Sequence, residues 1–156
     1  MIIALHHEPF DPWDALRRHE GSQSGIAAKY GATASFVGSL RDFNEGVAVN
    51  SLFLEHYPGM TENQLRFIAA EAAQRWPLLD CLIAHRVGEI QLGEAIVLVA
   101  VWTGQRGDAF DACRHIMEAL KSRAPFWKNE RLAHGQRWVS HNSDGYAASN
   151  VGHFRR

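Results

Sequence analysis

"EAIVLVAVWTGQRGDAFDACRHIMEALKSRAPFWKNE", residues 94–130, is the stretch on which the fold turns. Its opening, "EAIVLVAVW", is a near-continuous apolar run, which reads as a central strand covered on both faces. In "DAFDACRHIMEALKSRA", Phe110, Cys113, Met117 and Leu120 recur at helical spacing, flanked by Ala109 and Ile116. That pattern predicts an amphipathic helix with Asp108 as its N-cap. Pro125 ends it, because the residue before a proline avoids the α region. "FWKNERL" beyond the proline and "RWVSH" after "AHGQ" read as two short strands.

The rest of the chain is built outward from this core. "MIIALHH" predicts a first strand, and "FDPWDALRRHE" a short helix with Asp11 as N-cap and Pro12 at its first position. "GATASFVGSLR" reads as a strand ending near Arg41. The turn signal at Asn44 to Gly46 and the return through "VAVNSLFLEHY" predict a hairpin with Arg41 beside its loop. "GMTENQLRFIAAEAAQRWP" is a helix, with Thr61 and Gln64 as a capping-box pattern, Leu65, Ile68, Ala69, Ala72 and Trp76 as its apolar stripe, and Pro77 as its stop. "LLDCLIAHRVG" is a strand, followed by the loop "EIQLGE". Two main helices among five or more strands predict an α+β fold, with one domain over residues 1–140 and a tail over 141–156.

Composition narrows the function classes. The 156 residues suffice for one real core, and 46% hydrophobic with 21% charged residues is ordinary for a soluble domain. A net charge of −1 argues against bulk nucleic-acid binding. No apolar run is long enough to span a membrane, and the N-terminus lacks the pattern of a signal peptide. Cys81 and Cys113 form no CxxC pair, so two buried thiols in a reducing cytoplasm are expected. The histidines show no HxH, HxxxH or HExxH spacing, so no metal is called for.

The lysines stand out. Only Lys29, Lys121 and Lys128 are lysine among 16 basic residues, and two of the three sit in "LKSRAPFWKNE". Lys121 lies in the last turn of the predicted helix, where a cation also suits the dipole. Lys128 follows two aromatics on an extended segment. It reads either as a snorkelling surface lysine or as one whose pKa is lowered by an apolar wall and a neighbouring lysine. Arginine cannot serve that second purpose, since it keeps its proton. Upstream, "TGQRGD" joins strand to helix and carries Arg106 where backbone N–H groups favour an anion. Arg41 closes a small-residue strand. Arg137, ahead of Trp138, can stack on an aromatic ring or bind a carboxylate. Glu55 and His56 are neighbours in a strand and so face opposite ways.

"ASFVGSLRDFN" (34–44), "EHYPGMTE" (55–62), "HRVGEI" (85–90), "LKSRAPFWKNE" (120–130) and "RWV" (137–139) together resemble the large, catalytic subunit of molybdopterin synthase. The resemblance implies an α+β fold of the hammerhead type and a homodimer within a heterotetramer. Each large subunit would take one small ubiquitin-like subunit, whose Gly-Gly tail carries a thiocarboxylate. The implied reaction inserts two sulfurs into cyclic pyranopterin monophosphate to give molybdopterin, with no cofactor, since the sulfur arrives on the partner. It implies Lys121 and Lys128 as active-site lysines; Lys121 is taken as nearest the sulfur and active in proton transfer, and Lys128 as holding substrate, with the reverse assignment left open. Ser39, Leu40, Arg41, Gln105, Arg106, Asn129 and Glu130 are implied to bind substrate, and Arg137 to serve the pocket across the dimer. Gln105 departs from the family's usual histidine and cannot take up a proton. Two other classes remain at this point: a module that binds a Gly-Gly tail or a pterin phosphate without turnover, and an RNA-binding α+β domain that uses Phe126, Trp127 and Lys128 to stack bases.

Overall fold

The computed structural model describes residues 1–139 and Gly145. The strand "EAIVLVAVW" becomes β8 in an α+β fold that has, among the described residues, two four-stranded sheets, one two-stranded sheet and three helices. In chain order the elements are β1 (Ile2–His6), α1 (Pro12–Ser22), β2 (Ala32–Ser39), β3 (Phe43–Asn44), β4 (Val47–Ala48) and β5 (Ser51–His56). They continue with α2 (Met60–Arg75), β6 (Leu78–Arg86), β7 (Gly88–Gln91), β8 (Ala95–Thr103), α3 (Arg106–Arg123), β9 (Phe126–Leu132) and β10 (Gly135–Trp138). The first sheet runs β1-β6-β8-β2, with β1 parallel to β6 and the other pairs antiparallel. The second runs β10-β9-β5-β7, antiparallel throughout.

β8 is covered on both faces, as its apolar run requires. Val97, Val99 and Val101 face α2 and α3, meeting Leu65, Ile68, Cys113, Ile116 and Leu120. Leu98, Ala100 and Trp102 form the opposite layer with Leu82 and Ala84, and Ala15 and Leu16 of α1 pack against it. A smaller core of Leu40, Val49, Leu52, Leu54 and Ile90 belongs to the second sheet, with Phe126 packed against it. Among the described residues, no helix is long and apolar enough to cross a membrane.

Asp11 caps α1 through its carboxylate, 2.9 Å from the Trp13 N–H, with Pro12 following as the sequence predicts. Five other local expectations are corrected. Gln105, not Asp108, is the N-cap of α3, because the helix already begins at Arg106. Gly59 is the N-cap of α2, its φ of 83° turning the chain into the helix, and the Glu62 carboxylate accepts its N–H at 2.6 Å. Thr61 is therefore inside the helix and Gln64 caps nothing. Phe110 lies outside the core, 68% exposed, because the buried stripe of α3 runs through Ala109, Ala112, Cys113 and Ile116 instead. The hairpin is only β3–β4, closed by Glu45 and Gly46 with φ of 50° and 79°. Its flanking strands enter different sheets: β2 pairs β8 and β5 pairs β9. Within the expected loop "EIQLGE", residues 88–91 form β7 on the edge of the second sheet, anchored by the fully buried Ile90. Ser140 and His141, expected to extend the last strand, and the tail 141–156 lie outside the described residues, save Gly145.

Candidate active site

α3 and β8 set the site's position. β8 runs toward Thr103, the chain turns, and α3 runs back against β8 and β2. The C-terminal turn of α3 therefore returns to the end of the sheet where β2 finishes. Lys121 and the segment Ser39-Leu40-Arg41 thus share one end of the molecule. Past Arg123 the chain is extended at Ala124 and enters β9 at Phe126. Lys128 on β9 lies opposite Leu54 of β5. The two lysines approach through this turn and not along one helical face.

The turn is held from α2. The Thr61 hydroxyl, wholly buried, donates to the Pro125 carbonyl at 3.2 Å and accepts the Tyr57 N–H at 2.9 Å. Arg123 adds a 2.8 Å ion pair to Glu71 of α2. The "EHYPGMTE" segment thereby fixes the path between Lys121 and Lys128.

The electrostatics of the pair are unusual. Burial pushes the Lys128 ammonium down to about 8; Lys121 pushes the same way, and Glu130 partly opposes them. Beneath them lies His85, a residue to which sequence reasoning gave no role. Its ring is buried and stacks on Phe126 at 4.0 Å and 13°. Burial lowers its pKa to about 4, with Lys128 and Lys121 adding to the effect and the Arg86 carbonyl opposing it. At neutral pH the site thus holds a neutral imidazole and a lysine that readily gives up its proton. No spacing motif marks His85; its only sequence signal is its place in "HRVGEI".

The other predicted residues divide into three groups. Arg41 and Ser39 are exposed at the lysine end, whereas Leu40 between them is buried in the second core. Asn129 and Glu130 are buried beside Lys128, and the Asn129 Oδ1 has no hydrogen-bond partner among the described residues. Arg137 binds a carboxylate, that of Glu130, at 2.7 Å, and donates to the Asn44 carbonyl at 2.9 Å. The Glu130 carboxylate also accepts from Asn44 at 3.1 Å, so Glu130 and Arg137 brace the β3–β4 turn against β9 and β10. Gln105 and Arg106 are exposed at the opposite end of α3. At 1.5 Å per residue, Arg106 lies about 22 Å along the axis from Lys121. Within one chain these two residues do not join the lysine pair.

A perturbed, part-buried lysine near a neutral histidine, with an exposed arginine at the same end, marks the candidate site of an α+β protein. Comparison with known proteins gives the family. The family model described as MoaE protein matches residues 5–123, and the chain belongs to that family. The molybdopterin synthase catalytic subunit of Pseudomonas aeruginosa is 49% identical over 149 residues, covering 96% of this chain and 97% of the relative. Among solved structures, the molybdopterin biosynthesis MoaE protein of Burkholderia ambifaria is 44% identical, with a TM-score of 0.73 over 91% of this chain and 90% of that one. Molybdopterin synthase from Staphylococcus aureus is 31% identical, with a TM-score of 0.76 over 89% and 96%.

Proposed function

We propose that this chain is the catalytic subunit of a molybdopterin synthase, moving two sulfurs from the thiocarboxylated Gly-Gly tail of a small ubiquitin-like subunit to cyclic pyranopterin monophosphate. The observation that carries this reading is the lysine pair at the end of α3, with the Lys128 ammonium down to about 8. Family membership and the relative's description as a catalytic subunit point the same way.

In each transfer, thiocarboxylate sulfur forms a C–S bond to a pterin side-chain carbon as a C–O bond of that carbon breaks, and negative charge grows on the departing oxygen. Water then cleaves the acyl C–S bond, leaving sulfur on the pterin and a carboxylate on the small subunit's tail. Lys121 and Lys128 offset that charge, and a lysine with a pKa near the working pH supplies and recovers the proton. The perturbation favours Lys128 as the proton carrier and leaves Lys121 to hold charge, the reverse of the roles suggested by sequence. Arg41 takes the phosphate by charge-assisted hydrogen bonds. Gln105 and Arg106 reach a lysine pair only from a second copy, which suits a homodimer carrying one small subunit at each site. Asn129 and Glu130 shape the wall beside the substrate, and Arg137 holds Glu130. The chemistry draws on no cofactor, and the reading carries a cytoplasmic setting with it.

The test is reconstitution from purified chain, thiocarboxylated small subunit and cyclic pyranopterin monophosphate. Dithiolene product is expected. Tight capture of the tail or the pterin with no product would make this chain a binding module instead.

A further inference from the structure

We infer that His85 and Arg86, adjacent at the end of β6, are positioning residues that fix the two halves of the site against each other. His85 sets the lysine half and Arg86 the arginine half. This inference rests on the proposed function and deepens it.

Successive residues of a strand point to opposite faces, so one dipeptide can serve two sides. On the first side, the His85 ring stacks on Phe126 at 4.0 Å. Phe126 and Lys128 are two residues apart on β9, so they share a face of that strand. The Nδ1 of His85 lies 2.7 Å from the Arg86 carbonyl oxygen. That oxygen only accepts, so Nδ1 carries the ring proton and Nε2 is left as an acceptor. The charged groups that act on the ring are Lys121 from α3 and Lys128 from β9, and Glu130 acts on Lys128. A neutral imidazole with a lone pair favours a neighbouring ammonium without adding an anion, which moderates the effect of burial on the lysine.

On the second side, Arg86 is 1% exposed, too buried to meet a substrate. Its guanidinium donates to the Glu94 carboxylate at 3.2 Å and to the Glu89 carbonyl at 2.5 Å. Glu94 in turn accepts the Gln91 N–H at 2.6 Å, which closes the turn between β7 and β8. That turn grips Leu40 by both backbone groups: the Leu40 N–H donates to the Glu94 carbonyl at 3.0 Å, and the Gly93 N–H donates to the Leu40 carbonyl at 2.8 Å. Ser39 and Arg41 flank Leu40. Arg86 therefore holds the backbone that aims Arg41, through Glu94, while its own carbonyl orients His85.

The chain has only Lys29, Lys121 and Lys128, so [13C]lysine labelling gives three resolvable titrations of the intact protein. His85→Phe keeps the stack and removes both ring nitrogens. The Lys128 midpoint is expected to fall by about half a pH unit, a roughly threefold loss of proton affinity. An unchanged midpoint overturns the role given to His85. Arg86→Met keeps bulk and frees the turn; KM for the pterin phosphate should rise about tenfold with kcat within about twofold. Arg86→Lys should recover part of that loss. If Arg86→Met does not fold, Glu94→Gln weakens the same link and should give the same split. A matched fall in kcat with KM unchanged overturns the role given to Arg86. A wild-type chain that forms no product sinks the proposed function, whereas the lysine titration reads His85 with no substrate present.

Discussion

The two ends of α3 are built differently. At the C-terminal end the chain folds round the lysine pair: Thr61 ties down Pro125, Arg123 binds Glu71, His85 stacks on Phe126, and part-buried Lys128 feels the charges of Lys121 and Glu130. At the N-terminal end Gln105 and Arg106 are exposed, and Gln105 makes no side-chain cap. The first end pays for burial in shifted pKa values. The second leaves its arginine exposed to water. In the proposed reading, one helix separates a reaction end from a recognition end, and the recognition end would serve the reaction end of another copy.

Four outcomes would sharpen or break that contrast. The largest is expected for Lys128→Ala. Single-turnover sulfur transfer should fall by about 10²–10⁴-fold while the small subunit still binds. Next, Arg106→Ala and Lys128→Ala should each be impaired alone yet complement on mixing. Random exchange of protomers in a two-fold dimer would restore about a quarter of the wild-type rate. Failure to complement would place Arg106 outside the reacting site. Thr61→Val strips the partner from the Tyr57 N–H and the Pro125 carbonyl. A loss of about 1–3 kcal/mol in urea unfolding is expected, with reduced turnover, because the turn between the lysines loosens. The smallest effect belongs to Phe110→Ser near the recognition end: at 68% exposure, stability should stay within about 0.5 kcal/mol.

The parts of this arrangement that depend on one continuous segment were legible in the sequence. The valine-rich run of β8, the stop at Pro125 and the extended segment carrying Lys128 all follow from local periodicity and backbone restriction. Phe110 was misplaced because helical spacing identifies a stripe without saying where its edge meets solvent. The cap of α3 was misplaced because Gln105 begins the helix through its extended backbone, while Asp108 sits in the first turn, where an acidic side chain also suits the dipole. The hairpin between β2 and β5 was over-read, since a turn signal fixes a reversal and not the sheet that each arm joins. His85 was invisible for a deeper reason. A single histidine inside a strand carries no spacing signal, and its role arises only when β6 and β9 bring it under Phe126. Arg106 and Lys121 show the converse: they are near in sequence and similar in charge, yet the helix between them keeps them apart.

Lys128 is proposed to handle the proton of sulfur transfer. The direct test is the pH profile of single-turnover transfer with thiocarboxylated partner in excess. Lys128 loses its proton as pH rises through about 8, far below an ordinary lysine. A step in which the Lys128 ammonium offsets the growing charge and gives its proton to the departing oxygen should therefore hold its full rate below that midpoint and slow above it. Lys128→Arg, which keeps the charge but cannot release the proton, should lose both the rate and the inflection. A Lys128→Arg enzyme that retained the wild-type rate and the same inflection would contradict the account.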